Sequence, residues 1–200
     1  MENWKMKGKP ALIIIHMQKG IALEDGKFAF FGHAKAAKEA GIIPRQQALL
    51  QGFRKKKLPV IFVDAMTDPE DTVSLYGKFW KALEAAHGNL PGSKDIEVIP
   101  DLAPLSGEPV TYNWRISAFA RSNLEQLLKD NGVETVVLAG VATDIAVLTT
   151  AVAATDLSYA VIVPNDASTS GNARAHEVVM NDMLPGLSLV TTTEDVLAHI

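Results

Sequence analysis

Short apolar runs separated by amphipathic stretches organise this chain. Six of them predict strands: Ala11–Ile15, Val60–Val63, Val110–Tyr112, Thr135–Ala139, Ala160–Val163 and Leu187–Thr191. Several are β-branched runs without polar alternation, the pattern of strands covered on both faces in a parallel sheet. Helical patterns fall between them, over Pro44–Lys56, Asn123–Asn131, Asp144–Thr155 and Arg174–Met183. This alternation predicts an α/β fold, a doubly wound open sheet flanked by helices. Pro44 suits a first helical turn, and Gly132 stands where a helix ends.

Two stretches are less regular. Lys19 to Ile43 carries Phe28, Phe30, Phe31 and His33, and either covers part of a site or packs on the sheet edge. Thr67 to Pro109 holds two expected loops, Thr67-Asp68-Pro69-Glu70-Asp71 and Asn89-Leu90-Pro91-Gly92. No repeat or linker interrupts the pattern, so residues 1–200 read as one domain.

Composition narrows the chemistry. The net charge is -4, so no basic surface points to nucleic acid. The cluster Arg54-Lys55-Lys56-Lys57 reads as a solvated helix end, where cations suit the dipole. The chain contains no cysteine, which removes disulfides, thiolate metal ligands and any thiol nucleophile. No signal peptide or membrane span is read from the sequence, and the cytoplasm is the expected compartment.

Ligands of open α/β sheets bind beyond the carboxyl ends of the strands. The residues there are His16-Met17-Gln18, Asp64-Ala65-Met66, Asn113-Trp114-Arg115, Gly140-Val141-Ala142-Thr143-Asp144 and Asn165-Asp166-Ala167-Ser168. Thr143 or Asp144 is expected to cap the following helix, leaving its first N–H groups to face an anion or a developing oxyanion. A cysteine in that turn would be an activated nucleophile, but the turn holds Ala146.

Three segments in order carry a resemblance. They are Ala11-Leu12-Ile13-Ile14-Ile15-His16-Met17-Gln18, Asn113-Trp114-Arg115-Ile116-Ser117-Ala118-Phe119 and Leu138-Ala139-Gly140-Val141-Ala142-Thr143-Asp144-Ile145-Ala146-Val147. Weaker matches are Pro91-Gly92, Pro100-Asp101-Leu102-Ala103-Pro104, and Asp166-Ala167-Ser168 followed by His176. Over nearly its whole length the chain resembles the isochorismatase-like (cysteine hydrolase) family. The resemblance implies a Rossmann-like, mostly parallel six-stranded sheet, a homo-oligomer (dimer or tetramer) and a cleft at the strand ends. It further implies a cis peptide before Ala142 and an oxyanion hole from the backbone N–H groups of Ala142 and Ala146.

The family's catalytic aspartate, lysine and cysteine fall on His16, Asn113 and Ala146. Its thiolate chemistry is therefore absent, and no histidine near Met66-Thr67-Asp68-Pro69 supplies the metal site of the nicotinamidase branch. No cofactor is expected. His16 is the candidate acid or base, because imidazole titrates near neutrality, and Asp64 is a candidate partner. Asn113 would donate to a carbonyl or orient a water, or else end its strand. Trp114 and Phe31 would stack on a flat substrate or else pack in the core, and Arg115 would hold a carboxylate or else form a surface ion pair. Thr143 lines the same turn. Ser117, Thr143, Thr149 and Thr150 are not read as nucleophiles, His176 reads as structural, and His33, His87 and His199 have no evident partner.

Two functions fit. One is a hydrolase acting on a small carbonyl-bearing or cyclic metabolite through His16 and the backbone oxyanion hole. The other is an inactive protein that binds a metabolite or assembles as an oligomer. An engineered Ala146 alone would not account for His16 and Asn113. The helices after Gly140 and Asn172 are the expected oligomer faces.

Overall fold

The computed structural model describes residues 4–67 and 77–200. Seven strands form one sheet: β1 (Lys9–Ile15), β2 (Val60–Ala65), β3 (Val110–Asn113), β4 (Val133–Val141), β5 (Ala160–Pro164), β6 (Ser168–Thr169) and β7 (Leu189–Thr191). Their order is β3-β2-β1-β4-β5-β7, with β6 beside β4, and every strand pair is parallel. The expected six-stranded α/β sheet is thus present with one short strand added.

Period-two alternation divides each central strand between two cores. Leu12 and Ile14 of β1, with Phe62 of β2, face one core, and Ala11, Ile13 and Ile15 face the other. The first core is closed by α2 (His33–Ala40), α3 (Ile42–Lys55) and α8 (Thr193–His199), through Ala37, Leu49, Phe53 and Val196. The second is closed by α5 (Leu124–Asp130) and α6 (Leu148–Asp156), through Leu128, Ala151 and Ala154. Both faces of the central strands are therefore largely dry, and the polar side chains of Asp64 and Asn113 stand in the last two residues of β2 and β3.

Several expected elements shift. The stretch from Lys19 to Ile43 contains α1 (Lys19–Ala22), a 3-10 turn at Ala29–Phe31 and α2. Gly41, in the left-handed region at φ 64°, lets α2 and α3 follow almost without a break. A further helix, α4 (Lys78–Ala86), lies within the second irregular stretch. The expected helix over Asp144–Thr155 begins as a π-helical turn at Thr143–Val147 before α6. Likewise α7 (Ala173–Val178) passes into a π-helical turn at Val179–Met183. A 3-10 turn at Leu184–Gly186 delays β7 until Leu189. The loop expected at Thr67-Asp68-Pro69-Glu70-Asp71 lies, beyond Thr67, outside the described residues. No described helix is long and apolar enough to cross a membrane.

The strand order reverses between β1 and β4, and this switch point is where an open sheet parts to form a crevice. Ile15 and Gly140 are register partners there. A Cβ on Gly140 would stand 2.1 Å from the Ile15 carbonyl oxygen, at φ +140°. Glycine is what lets the two backbones close beside the site.

Candidate active site

β1 stops at His16, which adopts the left-handed region at φ 53°. A non-glycine residue there costs of order 1–3 kcal/mol and persists only where its surroundings fix it. Three contacts fix it. The His16 N–H donates to the Val63 carbonyl at 2.8 Å, and the Met17 carbonyl accepts from Ile99 N–H at 2.9 Å. Two residues on, the buried Gln18 amide accepts from Ala65 N–H at 2.5 Å and donates to the Ala65 carbonyl at 2.9 Å. Gln18 thus holds the first loop against the end of β2.

His16 Nε2 lies 2.9 Å from Asn113 Oδ1, in a bond between buried side chains. The direction of that bond follows from the other end of the asparagine. Its Nδ2 faces the carbonyls of Arg115 at 2.5 Å and Ser117 at 3.2 Å, which can only accept. Oδ1 is therefore the atom turned towards His16, and Nε2 carries the proton. In the neutral ring Nδ1 is left with its lone pair. Burial pushes the His16 pKa down to about 4, against the raising effect of the Asn113 bond and with a further lowering from the nearby His33 charge. His16 is a neutral base at physiological pH and cannot serve there as a stored acid.

The expected His16–Asp64 pairing is not formed; the imidazole turns to Asn113 instead. Asp64 is buried, its Oδ2 has no hydrogen-bond partner, and burial raises its pKa well above the usual carboxylate range. Tyr112, its register partner on β3, is also shifted up, by burial and then by the Asp64 charge.

Past β4, a cis peptide joins Val141 to Ala142. No side chain caps the turn that follows, contrary to the expectation for Thr143 or Asp144. Ala142 holds the N-cap place, and its carbonyl accepts from the N–H groups of Ile145 at 3.2 Å and Val147 at 3.1 Å. The Thr143 hydroxyl is engaged elsewhere, 3.0 Å from His176 Nδ1. Ala146 is buried and presents a methyl group to the second core.

The remaining candidates divide. The Phe31 ring packs on His33, with centroids 5.7 Å apart and planes 22° apart, and on Phe79 at 5.4 Å. The Arg121 guanidinium lies over the Trp114 ring at 5.9 Å, and Arg115 Nη1 donates to the Trp114 carbonyl at 2.6 Å. Thr150 Oγ1 accepts from Ala118 N–H at 2.9 Å, and Thr149 donates to the Ile145 carbonyl at 2.7 Å, so both hydroxyls serve the backbone. His199 does have partners: it stacks on Trp4 at 4.0 Å and bonds the Asp195 carbonyl at 2.7 Å.

His33 is the site residue that sequence reasoning missed. It opens α2, and its Nδ1 accepts from Gly171 N–H at 3.0 Å. Its pKa is lowered by burial, and its protonated form would lower that of His16. A sequence signal was weak, because the 138 positions separating it from Gly171 are bridged only by the fold. Among the described residues no group of three or more histidines and carboxylates could hold a metal ion, so the donor set of the nicotinamidase branch is not met there.

The two buried titratable groups have opposite linkage. His16 has a folded pKa below its unfolded one, so its contribution is complete above about pH 6.5 and is lost as pH falls through about 4, amounting to roughly 3 kcal/mol. Asp64 has a raised folded pKa, so its contribution is complete below about pH 3.8 and is lost as pH rises. An Asp64→Asn variant is therefore expected to melt above the parent at pH 7, with the gap closing by pH 3. A variant that is less stable at pH 7 than at pH 3, relative to the parent, would mean that Asp64 is held ionised.

Comparison with known proteins agrees with this architecture. Residues 10–195 match the isochorismatase domain family. An uncharacterized isochorismatase family protein of Bacillus subtilis, YwoC, is 28% identical over 193 residues, covering 96% of this chain and 94% of its own. The structure of an isochorismatase family protein from Desulfovibrio vulgaris superposes with a TM-score of 0.80 at 28% identity, covering 95% of this chain and 98% of its own. That of N-carbamoylsarcosine amidase from Thermoplasma acidophilum superposes at 0.73 and 26% identity, covering 94% and 98%. With the family matched over nearly all its length and none of the Asp-Lys-Cys triad retained, this chain belongs to the isochorismatase family as a cysteine-free member.

Proposed function

We propose that this protein is a hydrolase of a small carbonyl-bearing or cyclic metabolite that works without a covalent intermediate. The observation that carries the reading is the buried His16–Asn113 bond, because it fixes one tautomer and one ring orientation. A base held by an amide acceptor follows the same logic as a histidine held by asparagine in cysteine proteases. Asn113 is fully buried and its amide is already engaged on both sides, so it positions the base and does not reach substrate.

In the proposed reaction a water gives its proton to His16 Nδ1 as its oxygen bonds to the substrate carbonyl carbon. The electron pair displaced onto oxygen is received by the backbone N–H groups of Ala142 and Ala146. The imidazolium then returns the proton to the leaving group as the tetrahedral species collapses. General-base help supplies about 10²–10⁴-fold, and each oxyanion donor about 10²–10³-fold. Asp64 stands at the next strand end, where burial raises its pKa and so disfavours a charge that would repel the oxyanion. The Phe31–His33 stack offers a flat wall, while Trp114 and Arg115 stand at the β3 end of the cleft.

One observation favours a second reading, a binding protein without turnover. Ala146 places a buried methyl where the family has its thiol, and nothing on that side replaces the nucleophile. The two readings separate in a screen of small amides, esters, lactones and vinyl ethers against the parent and His16→Ala. The hydrolase reading expects turnover that falls about 10²-fold or more in His16→Ala. It further expects a rate flat through neutral pH that declines only as pH approaches about 4. No turnover on any class, with ligands still raising the melting temperature, would leave the binding reading.

For assembly, we propose that the face of α6 and residues 173–187 joins two copies. Val152, Val178, Met183 and Leu187 are exposed there, and a bond from Thr155 Oγ1 to the Leu187 carbonyl at 3.5 Å brings the two segments together. Sedimentation velocity is expected to show a dimer or larger at micromolar concentration, shifted towards monomer by Val152→Glu. A parent that runs as a pure monomer would contradict this.

A further inference from the structure

Asp144 is a polar group that the proposed reaction does not use. It sits in the π-helical turn, next to the residue that bonds His176. Its Oδ1 is buried without a hydrogen-bond partner, while the residue as a whole keeps part of its exposure. A desolvated acceptor left unpaired asks for an explanation, because native structures rarely contain one. Among the described residues, no lysine or arginine forms an ion pair with it.

Two imidazoles lie within electrostatic reach of this carboxylate. His33 arrives from α2 and His176 from α7, and both feel the Asp144 charge. The His33 Nδ1 is occupied by Gly171 N–H, so its proton is on Nε2 and the ring is neutral. The close approach that makes this bond is built in. A Cβ on Gly171 would stand 1.9 Å from the Phe31 carbonyl oxygen, so the segment after β6 lies directly against Phe31 and His33. Burial shifts both imidazoles down, so neither offers Asp144 a full positive charge at neutral pH. Burial also disfavours charge on His16 and Asp64, and the Asp144 charge acts on both imidazoles.

We infer that Asp144, within electrostatic reach of His33 and His176, is a recognition site for a cationic N–H-bearing group of the amidine, guanidine or amine class, carried by the small molecule that fills the crevice. A planar cation satisfies the carboxylate with paired N–H donors, and its flat body finds the Phe31–His33 stack beside it. The inference rests on reading the strand ends as a small-molecule cleft, but it needs no turnover. A protein that binds through Asp144 and hydrolyses nothing would overturn the hydrolase reading alone.

The test uses three ring compounds that differ in charge: benzamidine, benzamide and benzoate. Their binding to the whole chain at pH 7.5 is measured by calorimetry and by the ring resonances of His33 and His176. Benzamidine is expected to bind at least tenfold tighter than benzamide, and benzoate to bind weakest. Asp144→Asn, checked for unchanged melting, is expected to weaken benzamidine at least tenfold and to leave benzamide within about twofold. Equal binding of benzamidine and benzamide to the parent overturns the inference even if the variant fails to fold. So does tighter binding of benzoate, no binding of benzamidine, or undiminished benzamidine binding in a folded Asp144→Asn.

Discussion

A parallel sheet covered on both faces is the constraint from which the rest of this molecule follows. An unpaired polar side chain between the two helical layers is costly, so such groups collect towards the strand ends. Because the order reverses between β1 and β4, those ends part into a crevice there. His16, Ala142 and Asp144 lie at its rim as a consequence of topology, whatever chemistry they perform.

Within that frame, one hydrogen bond joins the side chains at two of the family's catalytic positions. Where the family has an aspartate and a lysine, this chain has a histidine and an asparagine that bond each other. Two charged residue types have given way to a histidine and an amide. Burial lowers the His16 pKa to about 4 and raises that of Asp64, disfavouring charge on both groups.

Much of the fold was legible in the sequence because the core strands are long apolar β-branched runs, and Ala11–Ile15 and Thr135–Ala139 could hardly be read otherwise. The misses have physical reasons. After His33, helix α2 is built from alanine, lysine and glutamate, with only Ala34 and Ala37 as a buried apolar face, and α8 is only seven residues long. For α8 a signal existed: Thr192 caps it by accepting from Asp195 N–H at 3.2 Å, a pattern of hydroxyl and acid three residues apart. At the site, His16 and Asn113 stood out by their places at the strand ends. Their bond to each other was not legible, because it reaches from β1 past β2 to β3. His33 was hidden for the same reason, its partner Gly171 lying at the far end of the chain.

The central claim is that Asn113 holds His16 as a neutral base protonated on Nε2. Nitrogen-15 NMR of the histidine rings across pH 3 to 8 tests it most directly, with His16 assigned by its loss in His16→Gln. The account predicts an Nε2–H tautomer that persists through neutral pH and titrates near about 4. A ring that titrates near the ordinary 6.5, or carries its proton on Nδ1, would contradict it.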